Sequence, residues 1–119
     1  MNPKWQVIYY ISLSGDNPIG DFLNNLNKQA QTKLLRIFDH IEEYGLQSVI
    51  RHIKKLSETQ FWEIRILGQD NIRVIYVIPT QIRVLVLHGF TKKTQKTSPK
   101  ELEIASKRYQ QYLLSIKSP

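Results

Sequence analysis

The chain of 119 residues contains no cysteine, which excludes disulfide frameworks, cysteine nucleophiles and thiolate metal sites. Its three histidines, His40, His52 and His88, are far apart and lack any paired spacing such as H-E-x-x-H, so no metal constellation is visible. No serine sits in a nucleophile elbow, and no glycine-rich phosphate loop is present. The N-terminal apolar stretch, Trp5 to Ile11, covers only seven residues. That is too short for a membrane span, and no small-residue cleavage site follows it. No internal repeat, low-complexity tract or long linker interrupts the chain. These absences predict a soluble, cytoplasmic protein, folded as one domain over residues 1–119, with no metal, cofactor or membrane partner. The length is enough to bury a core without disulfides.

Acidic residues are scarce where basic ones gather. Residues 1–50 carry four Lys/Arg against five Asp/Glu, a net of −1, whereas residues 51–119 carry thirteen against five, a net of +8. A neutral half joined to a cationic half implies a one-sided electropositive surface, suited to nucleic acid or to an acidic protein. The densest part is His88–Pro99 (HGFTKKTQKTSP), with Lys92, Lys93, Lys96, three threonines and no acid. It follows an apolar run, Ile82 to Leu87, and precedes a helix signal. A cationic, hydroxyl-rich loop leaving a sheet is suited to a phosphate backbone.

Periodicity organises the rest. Trp5 to Ser12 reads as a first strand. Asn17-Pro18 reads as an N-cap with proline at the first helical position, opening a short helix through Leu26. A longer helix from about Lys28 to Tyr44 keeps Ala30, Leu34, Ile37, Phe38 and Ile41 on one stripe and stops at Gly45. From Phe61 the period becomes two, giving strands over Phe61–Leu67, Ile72–Ile78 and Ile82–His88 joined by hairpin-length turns. Ser98-Pro99 with Glu101 marks a capping box for a last helix. Its stripe is Leu102, Ala105, Tyr109, Tyr112, Leu113 and Ile116. The order β-α-α-β-β-β-α predicts an α+β fold, an antiparallel sheet with helices packed on one face.

Within the strands, charge stands out. Trp62, Ile64 and Ile66 share one face, and Glu63 and Arg65 the other. Arg83 and His88 lie on opposite faces if their strand is regular, and His88, beside Gly89, either lines a cleft or is a partly buried histidine hydrogen-bonded locally. If Leu67 faces Asn71, Arg65 lies directly opposite Arg73. If Leu67 faces Ile72, Arg73 turns to the other side. Opposed guanidiniums repel, so a purely structural protein would avoid the first register, whereas a phosphate site would want it. The plain structural reading of Arg65 is an ion pair with Glu63 or another acid. This inventory of Lys and Arg, with a Glu and a His, suits RNA cleavage through the substrate's own 2′-hydroxyl. That reaction needs in-line positioning, stabilised phosphoryl oxygens and two managed protons.

The strings FWEIRI, NIRVIYVI and VLVLHGFTKKTQKTSPKELEIASKR resemble the RelE/HigB superfamily of toxins from type II toxin–antitoxin systems. The similarity is greatest to the HigB-like, phage-derived branch, whose members show a W/Y-E-L-R strand and an H-x-F-x-K-K-T-x-K-T-P turn. It covers about residues 5–115 in element order, with the specific motifs between Lys55 and Arg108. The resemblance implies a ribosome-dependent, metal-independent mRNA endoribonuclease that arrests translation, partnered by a HigA-like helix-turn-helix antitoxin. The alternative it leaves is a non-catalytic RNA- or ribosome-binding module, an inactivated phage remnant of the same fold. By motif, Arg65 and Arg73 become phosphate and transition-state ligands. Lys93, with Lys92, becomes the proton-transfer or leaving-group residue, and Lys54, Lys55, Lys92 and Lys96 bind RNA. Position 63 is glutamate where better-known relatives often carry lysine, and no tyrosine follows the basic loop at the equivalent distance. Glu63 and His88 therefore stand as the acid–base candidates.

Overall fold

In a computed structural model of the chain, residues 4–68, 71–92 and 97–117 are described. Strand β1 (Gln6–Tyr9) leads into helix α1 (Pro18–Asn25), where the Asn17 side chain accepts from the Gly20 N–H at 2.9 Å and Pro18 opens the first turn. Helix α2 (Lys28–Tyr44) starts the same way, with Asn27 Oδ1 accepting from the Ala30 N–H at 2.8 Å. It ends at Gly45, whose φ of 86° is the left-handed backbone that a side chain resists. A 3-10 helix, Leu46–His52, follows. The sheet then continues as β2 (Ile53–Lys55), β3 (Trp62–Ile66), β4 (Ile72–Thr80) and β5 (Arg83–Thr91), and helix α3 (Pro99–Lys117) closes the order.

The five strands lie in the order β1-β5-β4-β3-β2. The α+β class and the helical hairpin after the first strand are as the periodicity predicts. Two details differ. First, β1 pairs with β5 in parallel, Gln6 beside Arg83, so the sheet is mixed rather than antiparallel. Second, the helices cover both faces rather than one. On one face Leu34, Ile37, Phe38 and Ile41 of α2, with Ile19 and Leu23 of α1, pack on Ile64, Val74, Tyr76 and Val84. On the other, Ala105, Leu102, Tyr109 and Tyr112 of α3 pack on Phe61, Ile75, Val77, Leu85 and Leu87. Two-sided cover explains why every residue of β4 from Ile72 to Val77 is buried. The apolar stripe of α3 holds through Tyr112, whereas Ile116 is exposed. Among the described residues no helix is long and apolar enough to cross a membrane.

One irregularity positions everything that follows. Ile75 of β4 pairs with His88, but Tyr76 pairs with Val86, so Leu87 is an extra residue in β5. A bulge of this kind reverses the alternation beyond it. Leu87 faces α3, and a regular strand would turn His88 to the α2 face. With the bulge, His88 shares the α3 face with its partner Ile75, Phe90 does so too, and Gly89 turns the other way onto the Phe22 ring of α1.

Candidate active site

Strands β3 and β4 pair with Arg65 directly opposite Arg73 and Ile66 opposite Ile72. This is the register in which two guanidiniums share a face. Both point to the α3 side, because their neighbours Ile64, Ile66, Ile72 and Val74 fill the core under α2. Direct opposition is tolerable because a carboxylate lies between them. Glu63 is 0 % exposed. Its Oε1 accepts from Arg65 Nε at 3.1 Å and lies 3.4 Å from Arg73 Nε. The second contact is an ion pair without hydrogen-bond alignment. Its Oε2 accepts from the Thr97 hydroxyl at 2.6 Å. The ion pair between Arg65 and Glu63 that the sequence offered as the plain reading thus exists, and it includes Arg73 as well.

The end of β5 completes the group. Lys92 lies two residues beyond Phe90 and is only 6 % exposed, and its backbone N–H donates to the Asn71 carbonyl at 3.0 Å. Burial lowers the pKa of its ammonium, and the charges of Arg73, Arg65 and Lys54 lower it further against the opposing pull of Glu63. Arg73 is 6 % exposed, and burial likewise pulls its pKa below the ordinary value, with Glu63 opposing. Lys54 of β2 is exposed and pairs across the strands with Glu63, which places it on the same face. Four cations therefore surround one buried carboxylate at one end of the sheet. Among the described residues no three His, Asp or Glu side chains come together to hold a metal. The chemistry available at this end is anion binding by guanidinium and ammonium groups, plus proton transfer by a lysine of lowered pKa.

Not every predicted residue joins this group. Lys55 pairs across the strands with Trp62 and points to the other face, its Nζ 5.6 Å from the centre of the Trp62 ring and donating to the Thr59 carbonyl. His88 lies on the correct face but two strand spacings from Glu63, about 10 Å. Its Nδ1 lies 3.3 Å from Arg108 Nη1, and its Nε2 3.1 Å from Glu101 Oε1. Arginine can only donate, so Nδ1 accepts and Nε2 carries the proton toward Glu101. Burial keeps the pKa of this imidazole below its ordinary value. Glu101, expected in a capping box, is engaged by this contact. Lys93 and Lys96 lie outside the described residues.

Sequence reasoning passed over two residues. Thr97 was only one hydroxyl of a polar run, and nothing local marked it as the partner of Glu63. Arg108, on α3, donates through Nη1 to the Leu87 carbonyl at 2.9 Å and lies 5.6 Å from the centre of the Tyr10 ring. It thereby satisfies a carbonyl of the bulge that aims His88 and Lys92. An arginine within an otherwise apolar helical stripe was the available signal. A separate groove of about 250 Å³, lined by Asn27, Lys33, Leu67 and Asn71 among others, includes none of the clustered cations.

Residues 21–110 match the model of a family described as phage-derived, Gp49-like protein (DUF891). The chain belongs to that family. It is a toxin-like family of the RelE/Gp49 type. The matched segment contains Lys54, Glu63, Arg65, Arg73, Lys92, Thr97 and Arg108, and omits β1 and the end of α3. No curated protein matches the chain.

Proposed function

We propose that this Gp49-like protein is the toxin of a type II toxin–antitoxin system. In this reading it acts in the cytoplasm, cutting messenger RNA on the ribosome through the RNA's own 2′-hydroxyl. The single observation that carries the reading is the opposed pair Arg65 and Arg73, with Lys92 beside them, on one face of the sheet. A protein needing only a stable sheet gains nothing from two guanidiniums in direct register. A protein that must hold a phosphodiester whose charge grows in the transition state gains planar donors fixed in place beforehand.

In this reading the guanidiniums hold the two non-bridging oxygens, and the charge that develops there is met without reorganisation. Attack by the 2′-oxygen breaks the bond from phosphorus to the 5′-oxygen, leaving a cyclic phosphate and a free 5′-hydroxyl. One proton must leave the 2′-oxygen and one must reach the 5′-oxygen. Lys92, with its lowered pKa, suits one of those transfers. Lys54 attracts the backbone at the rim. Lys93 retains a role here only as the resemblance implies it, and the helix-turn-helix antitoxin is likewise a proposed partner.

Induced expression of the wild type should stop growth, and primer extension on translated messages should show new 5′-ends. Arg65→Ala and Lys92→Met, if folded, should restore growth and remove those ends. If both variants remain as toxic as the wild type, this site is not the active one. Two observations favour a second reading, a non-cleaving RNA binder: His88 is engaged through both ring nitrogens, and Glu63 has no exposed surface. That protein would retain salt-dependent RNA binding and generate no new ends.

A further inference from the structure

The geometry points to Glu63 as a positioning residue rather than an acid or base. It holds Arg65, Arg73 and the chain at Thr97 together as one phosphodiester cradle, with Thr97 as the second half of the device. This inference rests on the proposed RNA site and assigns within it two residues whose roles the fold class leaves open.

A general base must reach the proton that it removes, directly or through one water. Glu63 is 0 % exposed, and both of its oxygens are engaged: Oε1 accepts from Arg65 Nε and makes an ion-pair contact with Arg73 Nε, and Oε2 accepts from the Thr97 hydroxyl. The same contacts have a geometric consequence. A guanidinium gripped at Nε keeps its outer edge for a ligand. Among the described residues, Arg65 Nη1 and Nη2 and Arg73 Nη2 carry no protein hydrogen bond, while Arg73 Nη1 makes a long 3.5 Å contact to the Ile72 carbonyl. Glu63 also offsets the repulsion that the direct register of Arg65 and Arg73 would otherwise produce.

Thr97 extends the device to the other wall of the site. The described chain leaves the sheet at Lys92, tied by its N–H to the Asn71 carbonyl, and is held again at Thr97, two residues before α3 begins. The carboxylate that sets the arginines therefore also sets where α3 starts relative to them. A hydroxyl donating to a carboxylate at 2.6 Å is a charge-assisted bond, stronger than a neutral one. Valine at position 97 would keep the shape of threonine and delete only that bond.

The test measures binding of a fully 2′-O-methylated RNA oligonucleotide, which cannot be cut through its 2′-oxygen, by fluorescence anisotropy on the full chain. Wild type is compared with Thr97→Val, Thr97→Ser and Glu63→Gln. Thermal melts establish that each variant is folded. Thr97→Val should weaken binding about tenfold, the worth of one charge-assisted hydrogen bond, and Thr97→Ser should restore it. Glu63→Gln should weaken binding at least as much, because an amide presents a donor to one of three donors. In a translation-coupled cleavage assay, both weakened variants should keep the wild-type shape of the pH profile. Folded Thr97→Val that binds like wild type overturns the inference. So does Glu63→Gln that binds normally yet loses cleavage together with one limb of the pH profile, the signature of a base. Should Glu63→Gln fail to fold, the valine–serine pair at position 97 decides alone. Wild type that shows the predicted Thr97 dependence in binding but cuts no message refutes the nuclease reading and upholds the cradle.

Discussion

Removing the guanidinium of Arg73 gives the sharpest physical test of the charge cluster. Arg73→Met retains much of the aliphatic length and leaves Glu63 buried. Deleting one partner of a buried ion pair costs about 3–5 kcal/mol when the other charge is left alone. Glu63 is not left alone, because Arg65 Nε at 3.1 Å and the Thr97 hydroxyl at 2.6 Å remain. The variant also sheds the burial penalty and the Arg65 repulsion that lower the Arg73 pKa. The net loss should therefore be smaller, about 2 kcal/mol. For a chain of 119 residues, an unfolding entropy of ~2.1 cal/mol/K per residue gives ~250 cal/mol/K, so about 2 kcal/mol lowers Tm by about 8 °C. The side chain of Arg65 is 28 % exposed, so Arg65→Met should cost less, about 1 kcal/mol. The double variant leaves Glu63 buried with neither guanidinium and should lose more than the sum of the singles by at least about 1 kcal/mol. Urea titrations with unchanged m-values would measure all three. Additive losses, or an Arg73→Met protein as stable as wild type, would refute the view that both arginines serve one buried carboxylate.

Two further outcomes follow from the packing. A Cβ added at Gly89 would meet the Phe22 ring at 2.4, 2.6 and 2.9 Å, so Gly89→Ala should cost about 1–3 kcal/mol by forcing α1 away from the sheet. Phe22→Leu should recover part of that loss in the same urea titration. The His88 imidazole, between Glu101 and Arg108, has a folded pKa below its ordinary 6.5. The unfolded chain then takes up a proton near pH 6.5 before the folded one does, so stability is full above that pH and falls as pH drops below it. His88→Gln should flatten the decline between pH 7 and pH 5, and a slope identical to wild type would show that His88 does not cause it.

Much of the fold was legible because its signals are local. The stripe Leu34, Ile37, Phe38 and Ile41 announces α2, and Asn17-Pro18 and Ser98-Pro99 announce two helix starts. The short edge strand Ile53–Lys55 went unread because three residues cannot establish a period of two. Cover on both faces of the sheet was in fact written in Val74–Ile78 (VIYVI), whose unbroken apolar run fits a strand buried on both sides. The candidate site was legible as a list of basic residues, but not as a place. Whether Arg65 meets Arg73 depends on a one-residue choice of register. Whether Lys92 reaches them, and whether His88 shares their face, depends on one extra residue, Leu87, and no local pattern marks it apart from its neighbours. The burial of Glu63 depends on both, together with a threonine 34 positions away.

The parallel pairing of β1 with β5 bears on when the cationic face comes into being during synthesis. Gln6 has no strand partner until Arg83 has been made, which at ~5–20 residues per second takes roughly 4–15 s. The hairpin carrying Arg65 and Arg73 is finished sooner, but Lys92, Thr97 and the Arg108 that steadies the bulge are added after it. A nascent chain interrupted midway thus holds two arginines without the walls that orient them. The complete face appears only after Lys92, Thr97 and Arg108 have joined the hairpin that precedes them.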